Sequence, residues 1–232
     1  MDIVVGLIVE AGFKRTSVSL DFAKPVVVHA VAGAGKTRLI KEILEKVPEA
    51  VAYTFGTPDS ATLTGRRVQG IKERVAKKTG QLEIIDEYLA AKEQLVGANF
   101  LFADPQQYEQ IAQEAHLIKA ETHRFGKQTA SLLCSLNFTC ISQRVDTINI
   151  ENIWKAKLRG QVIAWEPTVC RLLTNHSQPH AHPQEVIGHT YEEVTIVTSD
   201  LYSAAHPRHL IYIALTRHRY RLTIASAKET HS

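Results

Sequence analysis

Short apolar runs alternate with longer amphipathic or polar stretches along this chain. Runs of this length predict buried strands, and they fall at 25–29, 50–55, 82–85, 99–102, 161–165, 194–198 and 221–225. After the first run, apolar residues recur at the spacing of an amphipathic helix as far as Val47. Strands that alternate with helical connections predict an α/β protein built on mainly parallel sheets.

Three more segments have a helical pattern. Residues 1–11 place apolar side chains on one face and Asp2 at the start, which predicts an N-cap at Asp2 and packing of this helix onto the core. Residues 122–133 and 209–215 are also predicted to be helical. No apolar stretch approaches the roughly 18 residues that a membrane-spanning helix needs, so no transmembrane segment is expected.

The alternating pattern changes character near residues 112–120 and then resumes, which indicates two small α/β domains. We place the N-terminal domain at 1–117, with the amphipathic helix at its start, and the C-terminal domain at 118–232. The net charge of +3 permits a nucleic-acid partner without arguing for one. The three cysteines form no C-x-x-C pair, which predicts a reducing compartment and buried thiols, with neither a disulfide framework nor a zinc site.

The most informative segment is the turn that joins the first strand to the following helix, Ala-Val-Ala-Gly-Ala-Gly-Lys-Thr at residues 30–37. A strand, a glycine-rich turn ending in Gly-Lys-Thr and a helix are typical of a phosphate-binding P-loop. Ala30 replaces the first glycine of the strict pattern, which a strand end with negative φ tolerates. Lys36 would reach the β and γ phosphates, and the Thr37 hydroxyl would hold Mg²⁺. The residues predicted to contact ATP or another nucleoside triphosphate are Gly33, Ala34, Gly35, Lys36, Thr37 and Arg38.

Polar residues follow two later strands of the predicted sheet. Asp86 and Glu87 come directly after an isoleucine-rich run, the position of the acidic pair that in P-loop enzymes holds Mg²⁺ and orients the attacking water. Gln107 follows the next strand, after a turn that Pro105 fixes, and could sense the γ-phosphate. Arg124 and Arg217 lie in the C-terminal half and are candidates for neutralising charge on the transferred phosphoryl group. Surface salt bridges are the alternative for both arginines.

Two further clusters leave alternatives open. Six basic residues with one acid among them could follow a phosphate backbone or form a solvated loop, and they are Arg66, Arg67, Lys72, Arg74, Lys77 and Lys78. His176, His180 and His182 suggest a metal site, but the flanking prolines and the absence of a nearby cysteine favour a polar loop.

Four of these motifs, in this order, resemble those of the superfamily 1 RNA helicases of positive-strand RNA viruses. They are Val-His-Ala-Val-Ala-Gly-Ala-Gly-Lys-Thr, Asp-Glu-Tyr, Phe-Ala-Asp-Pro-x-Gln and Ala-Leu-Thr-Arg, which correspond to motifs I, II, III and VI. The chain is more closely similar to the triple-gene-block protein 1 family of potexviruses and carlaviruses. The resemblance covers about residues 3–226, nearly the whole chain.

The resemblance implies two RecA-like domains with ATP in the cleft between them and single-stranded viral RNA across the top. It also implies self-association, binding of virions or coat protein, contact with host silencing factors and a place in the host cytoplasm. Ala103 stands where the wider helicase pattern has glycine, and Ile187 stands where many helicases have glutamine. Because the second position couples nucleotide to nucleic acid, the resemblance implies ATP hydrolysis more directly than strand separation.

The motifs predict a Mg²⁺-dependent ATPase. The resemblance implies that it binds RNA, that RNA stimulates it, and that it helps move viral RNA between cells and suppresses host RNA silencing. The alternative is a non-catalytic module that binds RNA or a host factor, in which nucleotide acts only as a conformational switch.

Overall fold

The structure is a computed structural model that describes residues 1–63, 65–91 and 95–228. It divides into two compact units, Met1–Ala120 and Glu121–Ser232. The boundary expected after residue 117 would fall inside the strand Leu117–Lys119, which pairs with the first unit's sheet. The chain therefore stays in the first sheet for two residues beyond the expected boundary, and the first unit ends at Ala120.

The first unit is built on a seven-stranded sheet in the order β1-β7-β2-β6-β5-β3-β4. Its strands are β1 (Lys14–Arg15), β2 (Val26–Ala30), β3 (Ala50–Thr54), β4 (Val68–Gly70), β5 (Leu82–Asp86), β6 (Phe100–Ala103) and β7 (Leu117–Lys119). Neighbouring strands run parallel except β1 and β7, which are antiparallel. The predicted α/β class with mainly parallel sheets is confirmed for this unit.

The apolar runs form the central strands of the sheet, and both faces of these strands are buried. In β2, Val26, Val27 and Val28 are all at most 2% exposed, and Val28 lies opposite Phe102 of β6. Continuous apolar sequence of this kind is typical of parallel strands that are covered on both faces. The register brings the carboxyl ends of β2, β3, β5 and β6 to one edge of the sheet.

Helices α1 (Asp2–Glu10) and α2 (Lys36–Lys46) pack against each other in the first unit. Val4 and Ile8 of α1 are fully buried, which confirms that this helix packs onto the core. The prediction that Asp2 caps the helix is wrong, because Asp2 is its first residue and no side chain caps it. Short 3₁₀ helices occupy Ile71–Glu73, Tyr88–Ala90 and Pro105–Gln107.

The second unit has a four-stranded parallel sheet in the order β10-β13-β12-β11 and a small parallel pair, β8 and β9. The strands are β8 (Glu121–Thr122), β9 (Ile141–Ser142), β10 (Thr147–Asn152), β11 (Gln161–Ile163), β12 (Tyr191–Thr198) and β13 (His218–Ser226). The helices are α3 (Lys127–Ser135), α4 (Pro167–Asn175), α5 (Arg208–Leu215) and a 3₁₀ turn at Pro183–Val186. In the described part of the chain, no helix has the length and apolar content to cross a membrane.

The helix predicted at 122–133 begins later than expected. Thr122 pairs with Ser142 as part of β8, and residues 123–125 form a bend between this strand and Lys127. The helix begins where Asp146 can cap it, since its Oδ1 and Oδ2 accept the backbone N–H groups of Gln128 and Thr129 at 3.0 and 3.3 Å. This cap comes from a distant residue and leaves no local sequence signal.

Candidate nucleotide-binding site

The turn between β2 and α2, which the sequence predicts to be a P-loop, contains two glycines with positive φ. Gly33 and Gly35 have φ values of 77° and 95°, in the left-handed region that glycine adopts without a steric cost. Ala30 ends β2 as a strand residue, so the first glycine of the strict pattern is not needed there. The N–H of Ala34 donates to the Val31 carbonyl at 3.1 Å, which curls the loop ahead of the helix N-terminus. The exposed N-terminal end of α2 can therefore receive an anion.

Lys36 is buried at the base of this loop. Its Nζ donates to the Ala30 carbonyl at 3.2 Å and lies 3.8 Å from Oε1 of Glu87. The ammonium group is thus held between the start of the loop and the acidic pair after β5. Thr37 and Arg38, the other predicted nucleotide contacts on α2, are exposed at the first turn.

Asp86 ends β5 in a buried position. Its Oδ2 accepts from the Thr54 hydroxyl at 3.5 Å, while Oδ1 has no hydrogen-bond partner among the described residues. Burial, together with the neighbouring charge of Glu87, raises the pKa of Asp86 to about 7. A buried carboxylate oxygen without a partner is costly, and a bound cation is one way to satisfy it.

Glu87 is held in an unusual conformation beside Asp86. Its φ of 55° places a non-glycine residue in the left-handed region, which costs of the order of 1 kcal/mol and recurs at functional sites. The Tyr108 hydroxyl donates to Oε2 of Glu87 at 2.8 Å, and Lys36 approaches Oε1. Burial and the adjacent carboxylates raise the pKa of Tyr108, so its hydroxyl stays a donor to Glu87.

Gln107 is buried in the short helix after β6. Asp104 caps this helix by accepting the Gln106 N–H at 3.2 Å, and its Oδ2 accepts Nε2 of Gln107 at 2.9 Å. Tyr108 then reaches from the end of the same helix to Glu87. The segment after β6 is therefore tied directly to the acidic pair after β5.

A histidine and a tyrosine that neighbour the candidate site residues in the chain also contact each other. His29, the residue before Ala30, stacks on Tyr88 with ring centroids 6.0 Å apart, and its Nε2 lies 2.9 Å from the Tyr88 hydroxyl. Burial, aided by the charge of Lys36, lowers the pKa of His29 to about 4, so the ring is neutral at physiological pH. This pair joins the strand before the P-loop to the residue after Glu87.

Sequence reasoning gave no role to Tyr108, Thr54 or the stacked pair, and it noted Asp104 only within the Asp-Pro turn before Gln107. Asp104 had a usable signal, because aspartate directly before proline is typical of a capped turn. Tyr108 and Thr54 had none, since each acts on a residue far away in the chain.

In the second unit, Arg124 and Arg217 converge on Thr216. Nη1 of Arg124 donates to the Thr216 carbonyl at 3.2 Å, and Nη2 of Arg217 donates to the Thr216 hydroxyl at 2.8 Å. Arg217 is 1% exposed, and its Nε also donates to the Ile213 carbonyl at 3.0 Å. The two arginines that the sequence singled out are thus brought together at the carboxyl end of α5.

His218, the residue after Arg217, belongs to a buried polar network. Nε2 of His218 lies 3.2 Å from Oδ2 of Asp146 and 3.0 Å from the Thr129 hydroxyl. Gly126 passes so close to Asp146 that a Cβ atom there would lie 2.4 Å from the Asp146 backbone nitrogen. Asp146 therefore joins the start of α3 to the strand that follows Arg217.

The basic segment at 66–78 is largely engaged within the first unit. Arg66 donates to the Leu44 and Val47 carbonyls at the end of α2, and Lys77 donates to the Gly97 carbonyl at 2.9 Å. Arg67 pairs with Glu73, and Arg74 pairs with Glu83. These contacts favour a structural role for the segment over a phosphate track.

The histidine cluster forms a polar turn. His182 caps the 3₁₀ turn that follows it, because its Nδ1 accepts the Gln184 N–H at 3.4 Å, and Nδ1 of His180 lies 3.1 Å from the Gln178 carbonyl. Among the described residues, no group of three or more histidine, cysteine, aspartate or glutamate side chains could hold a metal ion. Cys140 is buried as predicted and Cys170 is partly buried, but the prediction of a buried thiol is wrong for Cys134, which is exposed near the end of α3.

Comparison of the sequence with known proteins shows the family to which the chain belongs. The sequence model of the viral superfamily 1 RNA helicase core domain matches residues 26–226, so the chain carries a superfamily 1 helicase core. The movement and silencing protein TGBp1 of Lily symptomless virus is 37% identical over 100% of this chain and 99% of its own length. TGBp1 of Lily virus X is 39% identical over 91% of this chain and 94% of its own length. The chain belongs to the TGBp1 family of viral movement and silencing proteins.

Solved helicases share the fold at much lower identity. An arterivirus nonstructural protein 10 helicase aligns with 96% of this chain at a TM-score of 0.53 and 14% identity, and a PRRSV helicase aligns with 98% at 0.56 and 16%. The chain spans 56% and 54% of those two proteins. The likeness supports the fold alone.

Proposed function

We propose that this chain is an RNA-binding, Mg²⁺-dependent ATPase of the superfamily 1 helicase type that serves viral movement and suppression of host RNA silencing. The observation that carries the catalytic part is the meeting of Lys36 and Glu87 beside the partnerless oxygen of Asp86. A cation and two carboxylates at the end of a P-loop are what phosphoryl transfer needs for charge neutralisation and for positioning the water.

The residues of the site suit a nucleotide bound with Mg²⁺. Oδ1 of Asp86 has no protein partner in the described chain, and Thr37 is exposed on the first turn of α2, so both are available as oxygen ligands. Mg²⁺, when bound, neutralises charge on the phosphates. The elevated pKa of Asp86 reflects a carboxylate that a positive charge would stabilise.

In this proposal, each group of the protein has a separate role in hydrolysis. Lys36 binds the β and γ phosphates, and the loop N–H groups hold their oxygens. Glu87 orients and deprotonates the attacking water, while Tyr108 fixes its carboxylate through a hydrogen bond. The family resemblance supports RecA-like folds for both units, with Arg124 and Arg217 stabilising charge on the γ-phosphate.

Replacing Lys36 by alanine tests the catalytic assignment. We expect ATP hydrolysis to fall by about 100-fold or more, because a buried cation that stabilises transition-state charge is lost. Lys41→Ala is the matched control, since Lys41 lies on the same helix but pairs with Asp59 at 2.7 Å and is half exposed. Hydrolysis that survives in the Lys36 variant at the rate of the control would refute the assignment.

The names of the TGBp1 relatives support the biological part of the proposal. Those proteins are named for movement and silencing, and the chain is similar to them over nearly its full length. We include in the proposal single-stranded viral RNA, self-association, coat protein or virions and host silencing factors as partners, in the host cytoplasm.

A second candidate function is a binding module in which nucleotide only sets the conformation. It is favoured by the engagement of Gln107 with Asp104 and of Glu87 with Tyr108, because these groups are already satisfied within the protein. Glu87→Gln separates the two candidates. Movement and silencing suppression that persist in this variant without hydrolysis would support the binding module.

A further inference from the structure

The second unit contains a basic groove that the catalytic proposal does not use. It has a volume of about 510 Å³, and its lining residues are Thr147, Asn149, Glu151, Lys155, Lys157, Arg159 and Arg221. Four of them are basic and one is acidic, so the groove concentrates as much positive charge as the whole chain carries in net terms.

The floor of the groove is one face of the edge strand β10. Because side chains alternate along a strand, Thr147, Asn149 and Glu151 point to the same side. Among the strands that the structure describes, β10 pairs with β13 alone, and Arg221 lies opposite Thr147 there. The polar face of an edge strand thus continues onto a basic residue of its neighbour.

The wall of the groove is the segment that joins β10 to β11. These strands lie at opposite edges of the sheet, so residues 153–160 must cross β13 and β12. Ile153, Ala156 and Leu158 pack on the apolar cluster beneath, and Arg159 is fixed through its backbone N–H, which donates to the Thr195 hydroxyl at 2.8 Å.

This anchoring turns a row of cations outward. Lys155, Lys157 and Arg159 alternate with the packed residues, and all three are exposed. None of their side chains has an acidic partner within the described chain, whereas Arg221 pairs with Glu193 at 2.9 Å. Three like charges in this row face one carboxylate of the groove, Glu151, which accepts the Lys157 backbone N–H at 3.3 Å. A net repulsion therefore remains, and a bound polyanion offsets it.

An exposed aromatic residue neighbours the row in the chain. Trp154, which directly precedes Lys155, is 73% exposed. Exposed aromatic rings beside cations are typical of proteins that stack the bases of single-stranded nucleic acid while the cations follow its phosphates. An acidic protein segment would use the cations but would give Trp154 no base to stack on.

We propose that this groove binds the phosphate backbone of single-stranded RNA, with a base stacked on Trp154. The inference rests on the proposed RNA binding and names its location. All the residues that line the groove belong to the second unit, whereas the residues predicted to bind nucleotide belong to the first.

The test is the salt dependence of binding to a labelled oligouridylate. Each phosphate contact to a single strand contributes about 0.7 to the slope of log affinity against log salt concentration. We expect Lys155→Gln combined with Lys157→Gln to lower that slope by about 1.4 and the affinity by about 25-fold at roughly 0.1 M salt. The matched control is Lys72→Gln with Lys78→Gln, two exposed cations of the first unit, which should change the affinity much less.

Tryptophan fluorescence gives a second readout. The chain has two tryptophans, and the other, Trp165, is 8% exposed. RNA should therefore quench emission from Trp154, and Trp154→Phe should abolish the quenching.

The outcomes separate this inference from the function on which it rests. A wild-type protein that binds no RNA at any salt concentration would refute the proposed RNA binding and this site with it. Normal RNA binding by the groove variant, with an unchanged slope, would overturn the site alone. Polyglutamate that displaces RNA at equal charge would assign the groove to an acidic protein segment and would also overturn it.

Discussion

Replacing Asp146 by asparagine should destabilise the second unit in a way that depends on pH. Asp146 caps α3 and accepts from His218, and its side chain is fully buried. Burial by itself raises the pKa of Asp146, but hydrogen bonds from His218, Thr129 and the backbone outweigh that effect and lower it from 3.8 to about 2. The folded state therefore favours the charged carboxylate.

The size and sign of the effect follow from that shift. At 1.36 kcal/mol per pKa unit, the carboxylate contributes about 2 kcal/mol to the free energy of unfolding. Because the folded pKa is depressed, this contribution is fully present above about pH 4 and is lost as the pH falls through about 2. Roughly half of it remains at pH 3.

The assay is urea denaturation of wild type and Asp146→Asn, followed by circular dichroism at pH 7 and pH 3. We expect the variant to lose about 2 kcal/mol at pH 7 and about half as much at pH 3, with the melting temperature near neutrality lower by about 8 °C. Asp21→Asn, at an exposed carboxylate of the first unit, is the control. An equal loss at both pH values, or none, would refute the reasoning.

Three further substitutions test the first unit. Gly35→Ala should weaken nucleotide binding, which a nucleotide titration measures. The cause is backbone strain of about 1–2 kcal/mol at a φ of 95°, and not a steric clash, because no atom lies near the added Cβ. Arg66→Ala should lower the free energy of unfolding by about 1–3 kcal/mol, since two carbonyls at the end of α2 lose their donor, and should leave the salt dependence of RNA binding unchanged. Tyr108→Phe should slow hydrolysis about tenfold at unchanged nucleotide affinity, because Glu87 loses the hydrogen bond that fixes it; a weaker affinity at a normal rate would contradict that role.

The central strands could be predicted from the sequence because their signal is local. A strand such as β2 is buried on both faces, so its residues are apolar without interruption. Edge strands such as β1 and β4 are short and partly exposed, and they carry no such run. Strand β10 was missed for a related reason, since its alternating polar residues face the basic groove.

The same distinction, between residues with a local sequence signal and residues without one, applies to the candidate site. Lys36 and the acidic pair lie at or just beyond the carboxyl ends of parallel strands, so their order along the chain was enough to predict that they lie at one edge of the sheet. The partners that restrain them come from other elements: Tyr108 reaches Glu87 from 21 residues away and Asp146 reaches His218 from 72. Contacts made only by the folded chain leave no local pattern to detect.

The most direct test of the account is the rate of ATP hydrolysis by the purified chain with Mg²⁺, measured with and without single-stranded RNA. If the P-loop site is catalytic and linked to RNA binding, the basal rate should be measurable, RNA should increase it, and Lys36→Ala should abolish both. A wild-type chain that binds RNA but hydrolyses ATP no faster than the Lys36 variant would contradict the central claim.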